Sequence, residues 1–438
     1  MINSQINLWE QAQLAQDTAN WSLLLQCLQL ILEQGREVKS QQESSLEPQP
    51  VKLLTWAMDV LIFGDFHQRW DAAKLLPKFG QSAIAPLIEL LQDEDTDEEL
   101  QWFVARSLGQ FDRADAIAAL IEILKTSESE ELQTMAAAAL SEIGASAVAA
   151  ISELLAQENT RYLAVRSLSY IRRKDTIAPL LSVAQDPQVE IRAIAIEALS
   201  SFHDPQIPPL LLHALDDIAA PVRREAVIGL GFRPDLREEL DLVNCLLPRL
   251  YDFNLDVCNA AAIALGRLGT DTAASGLDRV LKSPHTPESL QIEIIRALGR
   301  ISTQTSLDYL RSALEQLTSQ TLQQEIVTVL GRIEQPQLKV KAAEVLIALL
   351  KSGAKGDRLK QAIALSLGQL GEISALDELI KLLADPNSAV RLHAIAALKQ
   401  LESTNAYHKL EQMSRDEALE PQLKQGIAIA LQEWAIEG

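Results

Sequence analysis

Three aromatic residues are each followed, four positions later, by a cation: Trp70 by Lys74, Trp102 by Arg106 and Tyr162 by Arg166. Residues four apart on a helix share a face, so each pair sets a flat ring beside a positive charge. That is chemistry for holding a planar ligand or anchoring a protein interface. The competing reading is that the rings fold back over the grooves between helices, their cations only solvating them. A second feature is electrostatic. Asp93, Glu94, Asp95, Asp97, Glu98 and Glu99 place six carboxylates in seven residues, and Glu128, Glu130 and Glu131 follow. Such runs are commonly solvated turns; side by side they also make an acidic rim able to steer a basic partner.

Groups that could make or break bonds are scarce. The sequence has no Gly-rich phosphate loop, no Gly-x-Ser-x-Gly elbow and no His-Glu-x-x-His zinc pattern. Cys245 and Cys258 offer soft metal ligands, but no other ligand stands near them at a fixed spacing, and cysteine is also a common small packing residue. With Cys27 they total three, which makes no disulfide framework. His393 is expected on the outward side of its helix, in solvent; His67 has no assignable role. The chemistry on offer is binding, with no catalytic residue, metal or cofactor expected.

The elements that must carry these side chains are helices. One leucine recurs at intervals of 28 to 37 residues: Leu76, Leu108, Leu140, Leu168, Leu199, Leu230, Leu265, Leu298, Leu330, Leu367, Leu398 and Leu431. The residues three and four before each are apolar, which fixes one helical face. The residue just before is mostly Ala, Ser or Gly, letting a neighbouring helix come close. Seven before stands a long polar residue, from Arg69 to Lys424, broken only by Cys258. Asp186-Pro187 and Asp385-Pro386 are expected to start helices as an N-cap followed by a first-turn proline. Gly109, Gly231, Gly266, Gly299, Gly331 and Gly368, next after the anchor, are expected to mark fraying helix ends. A shorter apolar segment precedes each such helix. The unit is a helical hairpin that cannot bury its apolar face alone, so stacking is obligatory.

Composition agrees. The chain has 438 residues, 47% of them hydrophobic and 4% aromatic, with a net charge of −21. That charge repels phosphate backbones and excludes nucleic acid as an expected ligand; a protein with a basic surface is the expected partner. No apolar run approaches the roughly 18 residues of a membrane span. The opening residues Met1 to Gln5 carry no basic region leading into an apolar core, so the expected location is cytoplasmic. Residues 1–34 read as an N-terminal helical segment that caps the array or docks a partner, 35–50 as a polar, flexible linker, and 51–438 as the repeat array.

The repeat resembles those of the cyanobacterial phycobilin lyase family, most clearly in Asp186-Pro187-Gln188-Val189-Glu190-Ile191-Arg192 with Ala195 and Leu199, and in Asp385-Pro386-Asn387-Ser388-Ala389-Val390-Arg391 with Ala394 and Leu398. The resemblance covers about residues 55–435 and implies an all-α fold, a right-handed α-solenoid of about eleven to twelve HEAT-like helical hairpins. It implies a cyanobacterial setting and two functions. The first is a non-catalytic scaffold or adaptor for another protein, in photosynthetic complex biogenesis or, like the IscA-interacting HEAT-repeat protein, in iron–sulfur cluster assembly. The second is a phycobilin lyase subunit or bilin chaperone, with a linear tetrapyrrole whose propionates pair with Arg106 and Arg166. Deoxyhypusine hydroxylase, similar in fold, binds iron through His-Glu dipeptides. Here the histidines are followed by Gln68, Asp204, Ala214, Thr286, Ala394 and Lys409, which excludes it.

Overall fold

In the computed structural model the described residues are 2–38, 49–93, 95–353, 356–401 and 403–435. They form α-helices and short 3-10 turns, with no strand among them. The chain divides into two compact units, residues 1–207 and 208–438. Each is a stack of antiparallel helical hairpins, the second helices of successive hairpins lying side by side. In the first unit Ile84–Gln92 pairs with Glu98–Leu108 and Ala114–Thr126 with Glu130–Ile143. In the second, Asp271–Leu281 pairs with Glu288–Ile301 and Pro336–Lys351 with Asp357–Leu370.

The anchor column makes the core. Every anchor from Leu76 to Leu398 has 0% exposure, and each such side chain contributes about 1.5–3 kcal/mol on burial. Leu431, in the last hairpin, is only half-buried. Around the anchors, Ala72, Val104, Ala136, Ala195, Ile294 and Ile363 are also wholly enclosed.

Three of the glycines after the anchors stand at helix ends as expected, Gly109 as a C-cap and Gly231 and Gly331 as last helical residues, but all six also face a closely packed neighbour. Gly266 and Gly299 lie inside Leu255–Leu268 and Glu288–Ile301. Their neighbours explain them. A Cβ on Gly299 would lie 2.0 Å from a methyl of Val329, and one on Gly109 2.7 Å from Ala139. Val329 and Ala139 are the residues just before the next anchors. The glycine of one hairpin thus receives the side chain that stands just before the anchor of the next, so the two columns are halves of one close approach.

The polar column joins successive hairpins. Arg69 reaches Asp97 at 3.2 Å, Arg161 reaches Asp186 at 3.0 Å, Arg223 holds Asp252 through two bonds of 2.7 Å, and Lys360 reaches Asp385 at 2.7 Å. The same column ties down its own turn: Arg192 donates to the Asp186 carbonyl and Arg391 to that of Asp385, both at 2.8 Å. This corrects the expected helix starts. The helices begin at Val189 and Ser388, with Gln188 and Asn387 as N-caps. Asp186 and Asp385 stand two residues earlier. They accept the N–H of Gln188 and Asn387 at 2.9 Å, tightening the turn, and offer their other oxygen to the preceding hairpin.

Most of the expected linker at 35–50 lies outside the described residues; helix continues to Val38 and resumes at Gln49. The N-terminal pair Ile2–Asp17 and Trp21–Val38 packs on Gln49–Phe63 through Trp9 against Trp56, 5.4 Å between ring centres, and Trp21 stacked on Phe63 at 5.9 Å.

Candidate binding surface

Two adjacent second helices build the site. Phe66–Leu75 starts from Asp65, whose carboxylate accepts the Gln68 N–H while the Gln68 side chain accepts the Asp65 N–H. That reciprocal cap fixes the first turn and with it Phe66 and Trp70. Glu98–Leu108 starts from Asp97, which accepts the Leu100 N–H at 2.7 Å, and carries Trp102, Phe103 and Arg106.

The rings form a cluster around Phe103, which is wholly buried. It meets Phe66, Trp70 and Trp102 edge-on, with centres 5.2, 6.4 and 5.1 Å away. Trp70 and Trp102 lie nearly parallel, 6.4 Å apart and 21° from coplanar, both half-buried. Arg106 sits over Trp70 at 4.4 Å and within 5.9 Å of Trp102. Lys74 approaches Trp70 at 5.4 Å but is tied to Asp71 at 3.1 Å. Arg106 has no carboxylate partner among the described residues.

Tyr162 and Arg166 belong elsewhere. Arg166 is paired with Glu130 at 2.7 Å, and a hydrogen bond with Tyr170, helped by the neighbouring charge, raises its already high pKa. Tyr162 and Tyr170 are exposed, at 40% and 46%. The hairpin between the two groups offers Thr134 and Ala138, so the three aromatic–cation pairs make two separate groups. Phe66 and Phe103 are not marked by the repeat pattern, because neither lies in the column of Trp70 and Trp102. Phe66 stands four residues before Trp70, an interval that would have revealed it.

The acidic run is largely occupied from within the fold. Asp97 and Glu99 are both held by Arg69 at 3.2 Å. The Arg69 hydrogen bond, with the Leu100 N–H behind it, holds the Asp97 carboxyl below the usual range. Glu98 accepts the Ser129 hydroxyl, and Asp93 accepts the Asp95 N–H at 3.0 Å. Glu94 lies outside the described residues.

The thiols of Cys245 and Cys258 turn to the backbone carbonyls of Leu240 and Asp252, at 3.6 and 3.2 Å, and burial raises both pKa values. Among the described residues no group of three His, Cys, Asp or Glu is placed to hold a metal. His393 is half-buried rather than solvated, its Nδ1 2.8 Å from the Ala389 carbonyl. No helix among the described residues is long and apolar enough to cross a membrane.

The sequence matches the family model for HEAT repeats over residues 64–141, 84–160, 148–231, 281–364 and 343–432. No curated protein matches it. Similar solved structures include an engineered protein, 20% identical over 80% of this chain and 98% of that chain, with a TM-score of 0.34. The CpcE–CpcF complex of phycocyanin lyase from Nostoc sp. PCC7120 is 19% identical over 59% of this chain and 94% of that chain, with a TM-score of 0.32. Importin beta is 12% identical over 86% of this chain and 60% of that chain, with a TM-score of 0.47. At these identities the likenesses concern the fold. With matches spanning well over half of its length, the chain belongs to the HEAT-repeat family.

Proposed function

We propose that the chain is a non-catalytic scaffold that binds another protein through the Trp70–Trp102–Arg106 surface, in the cytoplasm of a cyanobacterium. Its setting is iron–sulfur cluster assembly or the biogenesis of photosynthetic complexes. One observation carries the reading. In a chain of net charge −21, Arg106 sits over an indole, 4.4 Å from its centre, without a carboxylate partner among the described residues. A guanidinium so placed stays in position and keeps its in-plane N–H groups for a partner. The partner brings a carboxylate or a backbone carbonyl to Arg106 and apolar surface to the two indoles; a basic flank faces Asp95 and Glu98 on the neighbouring turn.

A bilin lyase or chaperone is the second reading, favoured by the same near-parallel indoles, which suit a planar anionic chromophore. Arg166 serves it poorly, because Glu130 already holds that guanidinium. The test is affinity purification of the chain from a cyanobacterial lysate, beside co-expression with a bilin-synthesis pathway. A scaffold stays colourless and retains a defined polypeptide that Arg106→Ala releases. A coloured protein supports the bilin reading. Retention unchanged by Arg106→Ala rejects this surface.

A further inference from the structure

The second unit contains a cleft of a different kind. It lies along the helices Gln320–Gly331 and Asp357–Leu370, has a volume of about 270 Å3, and is closed on one side by His393. Arg358 stands in the first turn of one helix and Arg332 just past the end of the other, so the two arginines start from opposite ends of the helix pair that lines the cleft. Between them lie the amides of Gln324, Gln361 and Gln369, the Thr328 hydroxyl and the apolar Leu365. Among the described residues no carboxylate lines the cleft. Neither arginine has a carboxylate partner among the described residues. Neighbouring cations differ: Arg296 is bound to Glu293 and Glu325, and Lys360 to Asp385. The Nδ1 bond of His393 to Ala389 leaves Nε2 as the ring's remaining polar atom.

We infer that this cleft binds an extended acidic peptide segment of a partner protein. The shape excludes a compact anion as the full occupant. Eleven helical steps of about 1.5 Å each separate Arg358 from Gln369, so one small anion cannot fill the cleft from end to end. An extended peptide advances about 3.3 Å per residue, so acidic side chains four or five residues apart reach both ends. The glutamine amides, each both donor and acceptor, match the peptide groups that run between. The overall negative charge opposes such a ligand. At physiological salt, however, fields from exposed charges fade over about 8 Å, so the two arginines dominate inside the cleft. This site stands apart from the Trp70–Arg106 surface and does not depend on it.

The experiment is fluorescence anisotropy with a labelled ten-residue oligoglutamate peptide at 150 mM salt, titrated with the full chain. Inorganic phosphate is the compact competitor, and circular dichroism checks the fold of each variant. Saturable binding is expected. Arg332→Gln with Arg358→Gln should weaken it about tenfold or more, the range of interface hot spots. The charge-matched control is Arg311→Gln with Lys341→Gln, which removes two cations from another cleft of the same unit and should leave binding within about twofold. Millimolar phosphate should displace the peptide only weakly. No binding by the wild type overturns the inference. So does equal weakening by the control pair, which would mark diffuse electrostatics, or full displacement by phosphate, which would mark a simple anion site.

Discussion

Arg106 and Arg166 occupy the same column of the repeat, two residues before an anchor leucine, and each follows an aromatic residue by four. Their surroundings differ. Arg106 sits over Trp70, between hairpins that both present indoles, and finds no acid among the described residues. Arg166 follows a hairpin with Thr134 and Ala138 in the matching positions, finds no ring to lie on there, and swings to Glu130. A repeat array fixes where a side chain starts; the neighbouring repeat decides what it does. Two short motifs of the same pattern, an aromatic residue four before an arginine, therefore end as one available cation and one neutralised cation.

The largest expected effect tests what the two regions share. Leu108 and Leu168 sit beneath them, both fully buried. Leu108→Ala and Leu168→Ala should each lower stability by about 2–5 kcal/mol, measured by urea unfolding. Similar losses would show that the scaffold is the same and only the outer surface differs. A loss below about 1 kcal/mol at either site would mean that its anchor is not core.

The next effect separates the regions. Arg106→Ala should weaken the partner retained in the purification above by about 1–3 kcal/mol, measured by titration calorimetry, while leaving unfolding almost unchanged. Trp102→Ala should weaken binding similarly but also destabilise, because its ring packs on buried Phe103. Sequence alone suggests that the fold would tolerate losing Trp102; the edge-on contact removes that expectation. A normal affinity in both variants would reduce the cluster to packing.

A smaller effect concerns the rung beneath the tryptophan pair. Arg69 is nearly covered, whereas Asp97 is 57% exposed, so solvent screening leaves Arg69→Ala costing only about 1 kcal/mol. The cost should depend on pH. Asp97 in the fold has a pKa below its unfolded value of about 3.9, so its pairing stabilises above that pH and is lost as pH falls through the folded value. The stability gap between wild type and Arg69→Ala should hold near neutrality and close in acid. A gap independent of pH would mean that Arg69 acts through packing alone.

What could be read in advance follows from the physics of each column. The anchors were legible because full burial demands an apolar side chain at a fixed place in every hairpin. The glycines after them were visible, and Gly109, Gly231 and Gly331 do stand at helix ends, but the packing role of all six was hidden. Their partners, Ala139 and Val329, stand about thirty residues on, so the close approach cannot be seen within one repeat. The Asp186 and Asp385 turns were placed two residues early, because Asp before Pro signals both an N-cap and the tight turn that precedes one. Trp70, Trp102 and Arg106 were legible as neighbours through their shared column. Phe103, which seats them, was not, being one residue out of register. The Arg332–Arg358 cleft was hidden for a related reason: its two arginines lie in different columns, and only the side-by-side packing of two helices gives them one space.

The smallest predicted effect is the sharpest test of the contrast between the two arginines. Arg166 and Glu130 make a 2.7 Å contact, but Glu130 is 80% exposed, and exposed pairs are worth about 0.2–1 kcal/mol. A double-mutant cycle of Arg166→Ala and Glu130→Ala should return a coupling energy in that range, shrinking as salt rises. Neither change should alter the affinity of the partner that Arg106→Ala releases, since the two groups share no contact. Glu130→Ala adds a further reading, because it frees the Arg166 guanidinium while leaving Tyr162 and Tyr170 in place. If an available cation beside aromatics sufficed, this variant would gain affinity for the same partner. The expectation is that it does not. The near-parallel pair of indoles at Trp70 and Trp102, which the Arg166 group lacks, is what holds Arg106 in position. A gain of affinity in Glu130→Ala would overturn that account and make the free charge, rather than its aromatic seat, the determinant.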